Sequence, residues 1–326
     1  MTPRGLETAR PICFAIVGCG AMGSLFGAIL ARAGHTVWMV DNHPERAQVM
    51  AAEGIHVESP RGAFHARALV TTDPSAAPAP DFAFIFVKAY DTAAAAKTAA
   101  AFAGPQTILV TLQNGLGNIA ALVERFGAER VIGGTTAHGA TEIEPAHVRH
   151  AGVGMTVIGQ RGRRTRRLEE LAEVMSGAGL EVEITEDLEA AIWSKLVVNC
   201  GINAVGALTR LPNGALAEDP GAATVLRAAV EEAAKVAAMK GVALAYCDPV
   251  EHTLRVCRAT AENLNSMLQD VARRRRTEVE AINGAVAREG DDLGVATPVN
   301  DALAALLGAV ERGYHLQIGS ALKRTD

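Results

Sequence analysis

A glycine-rich turn between two apolar runs constrains the fold of this chain more than any other feature. Apolar residues 12–17 lead directly into a G-x-G-x-x-G sequence formed by Gly18, Gly20 and Gly23. A second apolar run, 36–40, ends at Asp41. In such a turn the first glycine permits a tight bend, the second lets a pyrophosphate approach the backbone, and the third allows close helix–strand packing. The order of strand, glycine loop, helix, strand and acid predicts a βαβ unit that binds a dinucleotide.

The residues around this turn have expected roles in holding the dinucleotide. A helix is predicted over 21–33, and its N-terminus, at Ala21 and Met22, suits the pyrophosphate. Gly34 is placed to end that helix in a left-handed conformation. Asp41 follows the glycines by about 20 residues, where a carboxylate can accept hydrogen bonds from the adenosine ribose. A glycine turn that binds nothing is the alternative.

Length, charge and composition limit the kind of protein. The chain has 326 residues, 49% of them apolar, so one large or two ordinary domains are expected. A formal net charge of −5 gives no reason to expect nucleic acid, and the basic run 273–276 is interpreted as a solvated surface. No uncharged apolar stretch reaches the length of about 18 residues that indicates a membrane span.

Cysteine and histidine usage predicts a reduced compartment and no metal site. None of the five cysteines has metal-ligand spacing, and none of the nine histidines forms an H-x-x-x-H pair. We therefore expect reduced thiols and a cytoplasmic protein. His138 follows a predicted strand and is interpreted as a packing residue. Residues 1–11 lack the apolar core of a secretory signal and are expected to be a disordered tail.

The two halves of the chain differ in secondary-structure pattern. Up to about residue 187, strand-like runs alternate with helical segments, and the runs 82–87 and 107–112 suit a parallel sheet covered on both faces. Later segments are almost all helical, including a predicted helix over 277–289. We predict an α/β dinucleotide-binding domain of Rossmann type, 12–187, and an all-α domain, 188–326, with the substrate in the cleft between them.

A narrow polar stripe marks the first long helix of the second half. Lys195, Asn199 and Asn203 are four residues apart, which places them on one helical face among mostly apolar neighbours. A buried lysine and two buried asparagines would each cost free energy without a partner. A face turned to solvent is the alternative, but asparagine is a poor choice for an exposed helical face. The stripe therefore predicts a functional site.

Other polar residues have positions suited to ligand binding. Lys88 and Asn114 each follow a buried strand directly, and ligands bind at the carboxyl ends of parallel strands. Asn263 and Ser266 are three residues apart and share a helical face. Glu278 is placed at the start of a predicted helix, where an acid is favourable even without a function.

Together these segments resemble the ketopantoate reductase (2-dehydropantoate 2-reductase) family, from about residue 12 to 312. Besides the glycine loop, the resembling segments are 87–88, 113–115, 134–136, 193–203, 212–214, 263–270 and 277–278. The lysine–asparagine helix and the segment 263–278 are the specific part, because a plain dinucleotide-binding dehydrogenase does not need them.

The resemblance implies a role for each candidate residue. Lys195 would be the general acid that protonates the ketone oxygen of a 2-oxo acid, with a pKa lowered by burial, and Glu278 would hold it in place. The substrate would bind to Asn114, Asn199, Asn203, Asn263 and Ser266. The cofactor would bind to Gly18, Gly20, Ala21, Met22, Gly23, Asp41, Lys88 and Asn114.

One position departs from the family pattern. The usual cofactor is NADPH, with a basic residue after the second strand to receive the 2′-phosphate, whereas this chain has Asp41 there. A carboxylate repels a phosphate but accepts hydrogen bonds from a free ribose diol. Arg46 could receive a phosphate, but it lies about one turn into the next helix, where Asp41 and Glu45 would compete for its positive charge. NAD(H) is therefore predicted over NADP(H).

The predicted activity is reduction of 2-dehydropantoate to (R)-pantoate, a step of pantothenate biosynthesis. An NAD-dependent D-2-hydroxy-acid dehydrogenase for other branched or aromatic 2-oxo acids stays open. A non-catalytic dinucleotide-binding regulator is a third interpretation, but it is disfavoured because both Lys195 and Glu278 are present. The helices of the second domain could support a homodimer.

Overall fold

The structure, a computed structural model, describes residues 11–316. Apart from Pro11, the tail predicted over 1–11 lies outside the described residues. The chain divides into two units. The first comprises the residues up to Gln113 together with Gly117–Leu188, and the second comprises Asn114–Leu116 together with the residues from Glu189 onward.

The first unit is organised around β-sheets. Its strands in the described residues are β1 (Cys13–Val17), β2 (Thr36–Val40), β3 (Ile55–Glu58), β4 (Phe64–Ala66), β5 (Leu69–Thr71), β6 (Phe82–Ile85), β7 (Ile108–Thr111), β8 (Val131–Thr136), β9 (Gly139–Glu144), β10 (His147–Gly152), β11 (Thr156–Gly159) and β12 (Val182–Ile184). Eight of them form one sheet in the order β12-β11-β8-β7-β6-β1-β2-β5. Strands β6 and β7 are buried throughout, as predicted for a parallel sheet covered on both faces.

The parallel register of this sheet positions the loops that follow its central strands. Val17, at the end of β1, lies beside Val40 of β2 and Ile85 of β6. The glycine loop, Asp41 and Lys88 therefore all follow strands that end at the same edge of the sheet. The α/β class predicted for this part of the chain is confirmed.

Helices cover this sheet, and the first of them carries the glycine loop at its N-terminus. The helices of this unit are α1 (Ala21–Arg32), α2 (Pro44–Glu53), α3 (Thr92–Ala100), α4 (Asn118–Phe126) and α5 (Arg166–Gly177). Gly34 has a φ of 91°, and the N–H of His35 bonds to Leu30 O, so α1 ends in the left-handed turn that the sequence predicts.

A second, four-stranded sheet, in the order β4-β3-β10-β9, adds to the predicted alternation of strands and helices. Its strands are short and half exposed, with one face towards the apolar core that contains Val57 and Val148. Such short runs carry little periodic signal, which is why β3, β4 and β9 were not predicted.

The second unit is helical, which confirms the all-α class predicted for it. Its helices are α6 (Leu188–Thr209), α7 (Asn213–Glu218), α8 (Pro220–Met239), α9 (Pro249–Ala259), α10 (Ser266–Ala272), α11 (Asn283–Leu293) and α12 (Pro298–Arg312). Helix α6 is the one helix among residues 11–316 whose length and mean hydropathy would suit a membrane span. However, 67% of its most apolar window is buried inside the protein, as in a core helix.

The helix predicted over 277–289 was wrong at its start. A short 3-10 turn, Val279–Ala281, comes first, and α11 begins only at Asn283. The side-chain amide of Asn283 donates to Cys200 O at 3.1 Å and to Asn300 Oδ1 at 2.9 Å. These buried bonds to α6 and α12 set the beginning of α11, and no local sequence pattern encodes them.

Candidate active site

The glycine loop has the geometry of a pyrophosphate cradle. Gly18 has a φ of 94°, and a Cβ on Gly23 would collide with Gly18 O. In contrast, a Cβ on Gly20 would meet no atom within 4 Å, so internal packing does not require glycine there. The first intrahelical bond of α1 runs from Ser24 N to Gly20 O, which leaves the N–H groups of Ala21–Gly23 without helical acceptors. Open space beside these N–H groups fits a dinucleotide pyrophosphate.

Asp41 is buried at the end of β2 and bonds to this loop. Its carboxylate accepts N–H bonds from Cys19 at 3.2 Å and His43 at 2.8 Å. It also accepts two bonds from Arg46, with Nε at 2.8 Å and Nη2 at 3.1 Å. Burial raises the pKa of Asp41, but Arg46 and the N–H of His43 outweigh that effect and hold the pKa below its usual value. The carboxylate is thus ionised and joins the loop to α2.

Gln113 is a structural residue to which the sequence pattern assigned no role. Its amide donates to Val87 O at 2.7 Å and to Thr92 Oγ1 at 2.9 Å, and its carbonyl accepts from Thr111 Oγ1 at 2.8 Å. These bonds join the carboxyl ends of β6 and β7. They fix the backbone on either side of the half-buried Lys88. They also fix the start of the loop that continues into Asn114.

In the second unit, Lys195 of α6 and Glu278 interact electrostatically. Burial lowers the pKa of Lys195 to about 8, and the negative charge of Glu278 limits that decrease. Glu278 is 6% exposed, and Asn114 Nδ2 donates to its Oε2 at 3.4 Å. Three residues from distant parts of the sequence therefore form one cluster: a lysine, a carboxylate and an amide.

Backbone contacts position Asn114 and Glu278 in this cluster. Leu116 N donates to Ala281 O at 2.9 Å, and Gly115, with a φ of 81°, lies so close to Ala281 that a side chain there would collide with it. On the other side, Thr277 N donates to Glu311 Oε1 at 2.8 Å. The turn that carries Glu278 is therefore held from both sides.

The remaining predicted substrate residues lie along the second half of α6 and beside α10. Asn199 is half-buried, and Asn203 is 5% exposed. Asn263 and Ser266 lie on either side of Asn265, whose amide donates to Ile202 O at 3.4 Å and whose carbonyl caps α10 through Leu268 N at 2.9 Å. Asn265, which the sequence did not single out, fixes the α10 N-terminus against α6.

Gly206 of α6 is the position that makes this contact possible. A Cβ there would overlap Asn265 Nδ2, a buried amide. We expect Gly206→Ala to lower the free energy of unfolding by about 2 kcal/mol, because Asn265 must move and its capping bond weakens. Thermal or urea unfolding measures this change. Gly308→Ala is the control, because only the mobile end of Arg312 lies near that Cβ, and unchanged stability of Gly206→Ala would contradict the prediction.

His138 lies in the core, in agreement with the packing interpretation. It is 8% exposed, and its Nδ1 lies 2.9 Å from Nε2 of His150. Burial, followed by His150, lowers the pKa of His138 to about 4, and burial also lowers the pKa of His150. Both rings are therefore neutral in the folded protein at neutral pH.

This histidine pair predicts how stability depends on pH. Between pH 6.5 and about 4 the unfolded chain binds more protons than the folded one, so the free energy of unfolding falls as the pH falls. We expect His150→Gln to flatten the slope of melting temperature against pH in this window. The exposed His43→Asn is the control, and an unchanged slope in His150→Gln would show that the pair does not govern acid stability.

The described residues contain no cluster of three or more His, Cys, Asp or Glu side chains that could hold a metal ion. The parallel sheet with its glycine loop, and the helical unit with its lysine–glutamate pair, are features expected of an NAD(P)-dependent oxidoreductase. Comparison with known proteins supports this class. Residues 14–163 match the family model for ketopantoate reductase PanE/ApbA, and residues 187–311 match the model for its C-terminal domain. The chain belongs to the ketopantoate reductase family, as its motifs predict.

Individual relatives agree with this assignment. The chain is 40% identical to a 2-dehydropantoate 2-reductase of Halobacterium salinarum, over 91% of this chain and 98% of that protein. Among solved structures, a PanE/ApbA family ketopantoate reductase from Ralstonia eutropha has a TM-score of 0.85 at 33% identity, covering 93% and 99% of the two chains. D-mandelate dehydrogenase with NADH and anilino(oxo)acetate has the same TM-score and coverage at 26% identity.

Proposed function

We propose that this protein reduces 2-dehydropantoate to (R)-pantoate. The observation that carries the proposal is the half-buried Lys195, which interacts electrostatically with Glu278, on a helix that continues to Asn199 and Asn203. An ammonium group with a pKa near 8 is protonated at neutral pH and still acidic enough to give up its proton. The relatives named 2-dehydropantoate 2-reductase support this choice of substrate.

In the proposed mechanism the chain's own residues bind the substrate and move one proton. The nicotinamide cofactor, when bound, supplies the hydride. Lys195 Nζ donates its proton to the ketone oxygen, so that no alkoxide is left in a poorly solvated site. Glu278 keeps Lys195 charged until that step, and Asn114 orients the carboxylate of Glu278.

Neutral hydrogen-bond donors can bind the rest of the substrate. We assign the carboxylate and hydroxyl groups of the 2-oxo acid to Asn199, Asn203, Asn263 and Ser266. Amide and hydroxyl groups can donate to a carboxylate without themselves losing or gaining a proton, so binding changes little with pH around neutrality. On the cofactor side, we assign the pyrophosphate to the loop from Gly18 to Gly23, with Lys88 and Asn114 nearer the nicotinamide.

A kinetic panel tests the substrate. We expect kcat/KM to be highest for 2-dehydropantoate among branched and aromatic 2-oxo acids. The resemblance to D-mandelate dehydrogenase favours one second candidate, an NAD-dependent D-2-hydroxy-acid dehydrogenase. A clearly higher kcat/KM for an aromatic 2-oxo acid such as phenylglyoxylate would support that candidate and refute the pantoate assignment. Absence of turnover on every member would support a dinucleotide-binding regulator.

For the cofactor we propose NAD(H) over NADP(H). Asp41 is ionised and buried at the end of β2. The guanidinium of Arg46, which could otherwise bind a phosphate, already forms an ion pair with Asp41. A 2′-phosphate would compete with Asp41 for Arg46, and any weakening of that buried ion pair is costly. The binding of NADH to D-mandelate dehydrogenase is consistent with this choice.

Replacement of Asp41 tests the cofactor proposal. We expect Asp41→Ala to lower the dissociation constant for NADPH, divided by that for NADH, by about tenfold. The reason is that the negative charge is lost and Arg46 is released. Separate fluorescence titrations with the two reduced cofactors measure the ratio. The same ratio in the wild-type and variant proteins would refute the role of Asp41.

The division into domains and the oligomeric state complete the proposal. We propose that residues 12–187 form the dinucleotide-binding domain and 188–326 the substrate and dimerisation domain. Light scattering of the purified full chain tests the homodimer, and a monomer at micromolar concentration would refute it.

A further inference from the structure

Arg46 is bonded by two carboxylates from different parts of the first unit. Besides the two bonds to Asp41, its Nη1 donates to Glu142 Oε1 at 3.3 Å. The side chains of Arg46 and Glu142 are only 18% and 15% exposed, so both lie at the edge of the protein interior. Glu142 belongs to β9, in the four-stranded sheet, and not to the dinucleotide-binding βαβ segment.

We propose that Glu142 is a specificity-determining residue that keeps Arg46 from receiving a 2′-phosphate. The inference rests on the proposed cofactor site, in which Asp41 lies at the adenosine ribose. Glu142 acts through Arg46, so it is a positioning residue for the cofactor and takes no part in the chemistry.

The geometry of the guanidinium explains how this works. Asp41 takes Nε and Nη2 of Arg46, and Glu142 takes Nη1, so each of the three nitrogens already donates to a carboxylate. A guanidinium has five N–H groups in one plane, so two remain to be shared with any further anion. Two negative charges also surround one positive charge, and the net charge of −1 opposes a phosphate dianion.

Glu142 lies in a different sheet from the glycine loop, so it can be replaced without changing the loop itself. Its register partner is Val148 of β10, and the next residue, Arg149, pairs with Thr141 and binds Glu58 at 2.9 Å. Side chains alternate along a strand, so Glu142 and the Arg149–Glu58 pair lie on opposite faces of the same sheet. Glu58→Gln is therefore a matched control, with the same change of charge in the same sheet.

Equilibrium binding of cofactor fragments tests the proposal without any turnover. The purified full chain and its variants are titrated with ADP-ribose and 2′-phospho-ADP-ribose by calorimetry. We expect Glu142→Gln to tighten binding of the 2′-phosphorylated fragment about tenfold and to change binding of ADP-ribose by less than about threefold. Glu58→Gln should leave both constants unchanged.

A double variant identifies the residue through which Glu142 acts. The gain should disappear in Glu142→Gln/Arg46→Gln, because no guanidinium is left to bind the phosphate. An unchanged ratio of the two constants in Glu142→Gln, an equal shift for both fragments, or a gain that survives loss of Arg46 would each overturn the proposal. If wild-type protein already prefers the 2′-phosphorylated fragment, the NAD(H) proposal fails, while the effect of Glu142→Gln on the ratio is still measured independently.

Discussion

Lys195→Ala should lower kcat for reduction of 2-dehydropantoate by about 10²-fold or more, the usual scale for loss of a general acid. Without the ammonium, the ketone oxygen has lost its proton donor when the hydride adds to the carbonyl carbon. The alanine also leaves Glu278, which is 6% exposed, without the charge of Lys195, so we expect a lower free energy of unfolding as well. Steady-state kinetics at saturating cofactor, together with circular dichroism, measure both effects.

Two controls separate a general acid from a binding residue. Lys235→Ala removes a lysine that is exposed on α8 and should retain full activity. In Lys195→Ala the dissociation constant of the reduced cofactor should stay within about threefold, because Lys195 acts on the substrate oxygen. If turnover survives largely intact in Lys195→Ala, the proposed mechanism is wrong.

In Glu278→Gln, the decrease of kcat/KM with rising pH should begin at a lower pH than in the wild-type protein. In the wild-type protein kcat/KM for reduction should be level below pH 8 and fall above it, since the pKa of Lys195 is about 8 and only its protonated form can donate. The carboxylate of Glu278 raises that pKa, so its neutral replacement lets Lys195 lose its proton at lower pH. We expect the falling limb to move down by about one pH unit or more, with about a fivefold or greater loss of kcat/KM at pH 8.

The same pH profile shows whether Glu278→Gln loses activity because the pKa of Lys195 falls or because Lys195 is displaced. Activity of Glu278→Gln should recover substantially at pH 6, where Lys195 is protonated again, whereas a displaced lysine would leave the loss independent of pH. Glu280→Gln is the matched control, because Glu280 is exposed two residues away and pairs with Arg288 at 3.2 Å. If kcat/KM of Glu278→Gln decreases over the same pH range as that of the wild-type protein, the proposed pairing of Glu278 with Lys195 is refuted.

Local patterns predicted the parts of the protein whose structure depends on neighbours in sequence. The run into the glycine loop, the left-handed Gly34 and the helical second half follow from turn sterics and periodicity, which act over a few residues. The polar stripe of Lys195, Asn199 and Asn203 was visible because one helix carries all three residues, at a spacing that helical geometry makes meaningful.

Features that depend on distant residues were missed or only half seen. The 3-10 turn Val279–Ala281 comes just before Asn283, whose side chain bonds to Cys200 and Asn300 in other helices. Competition of Asp41 with a phosphate for Arg46 was expected, but the burial of the Asp41–Arg46 ion pair and the contribution of Glu142 were not. Gln113 and Asn265 look like ordinary polar residues until their buried partners are known.

The sequence by itself determined the fold class, the family and the chemical type of each candidate residue, because these depend on residue identity and short-range spacing. Only the tertiary structure decided the protonation of Lys195, the orientation of Glu278 by Asn114, and the charge balance around Arg46. The physical reason is that pKa values and hydrogen-bond partners depend on burial and on charges a few ångströms away. The glycine loop therefore predicts that a dinucleotide binds, while the proposed discrimination between NADH and NADPH rests on the contacts among Asp41, Arg46 and Glu142, which come from different parts of the chain.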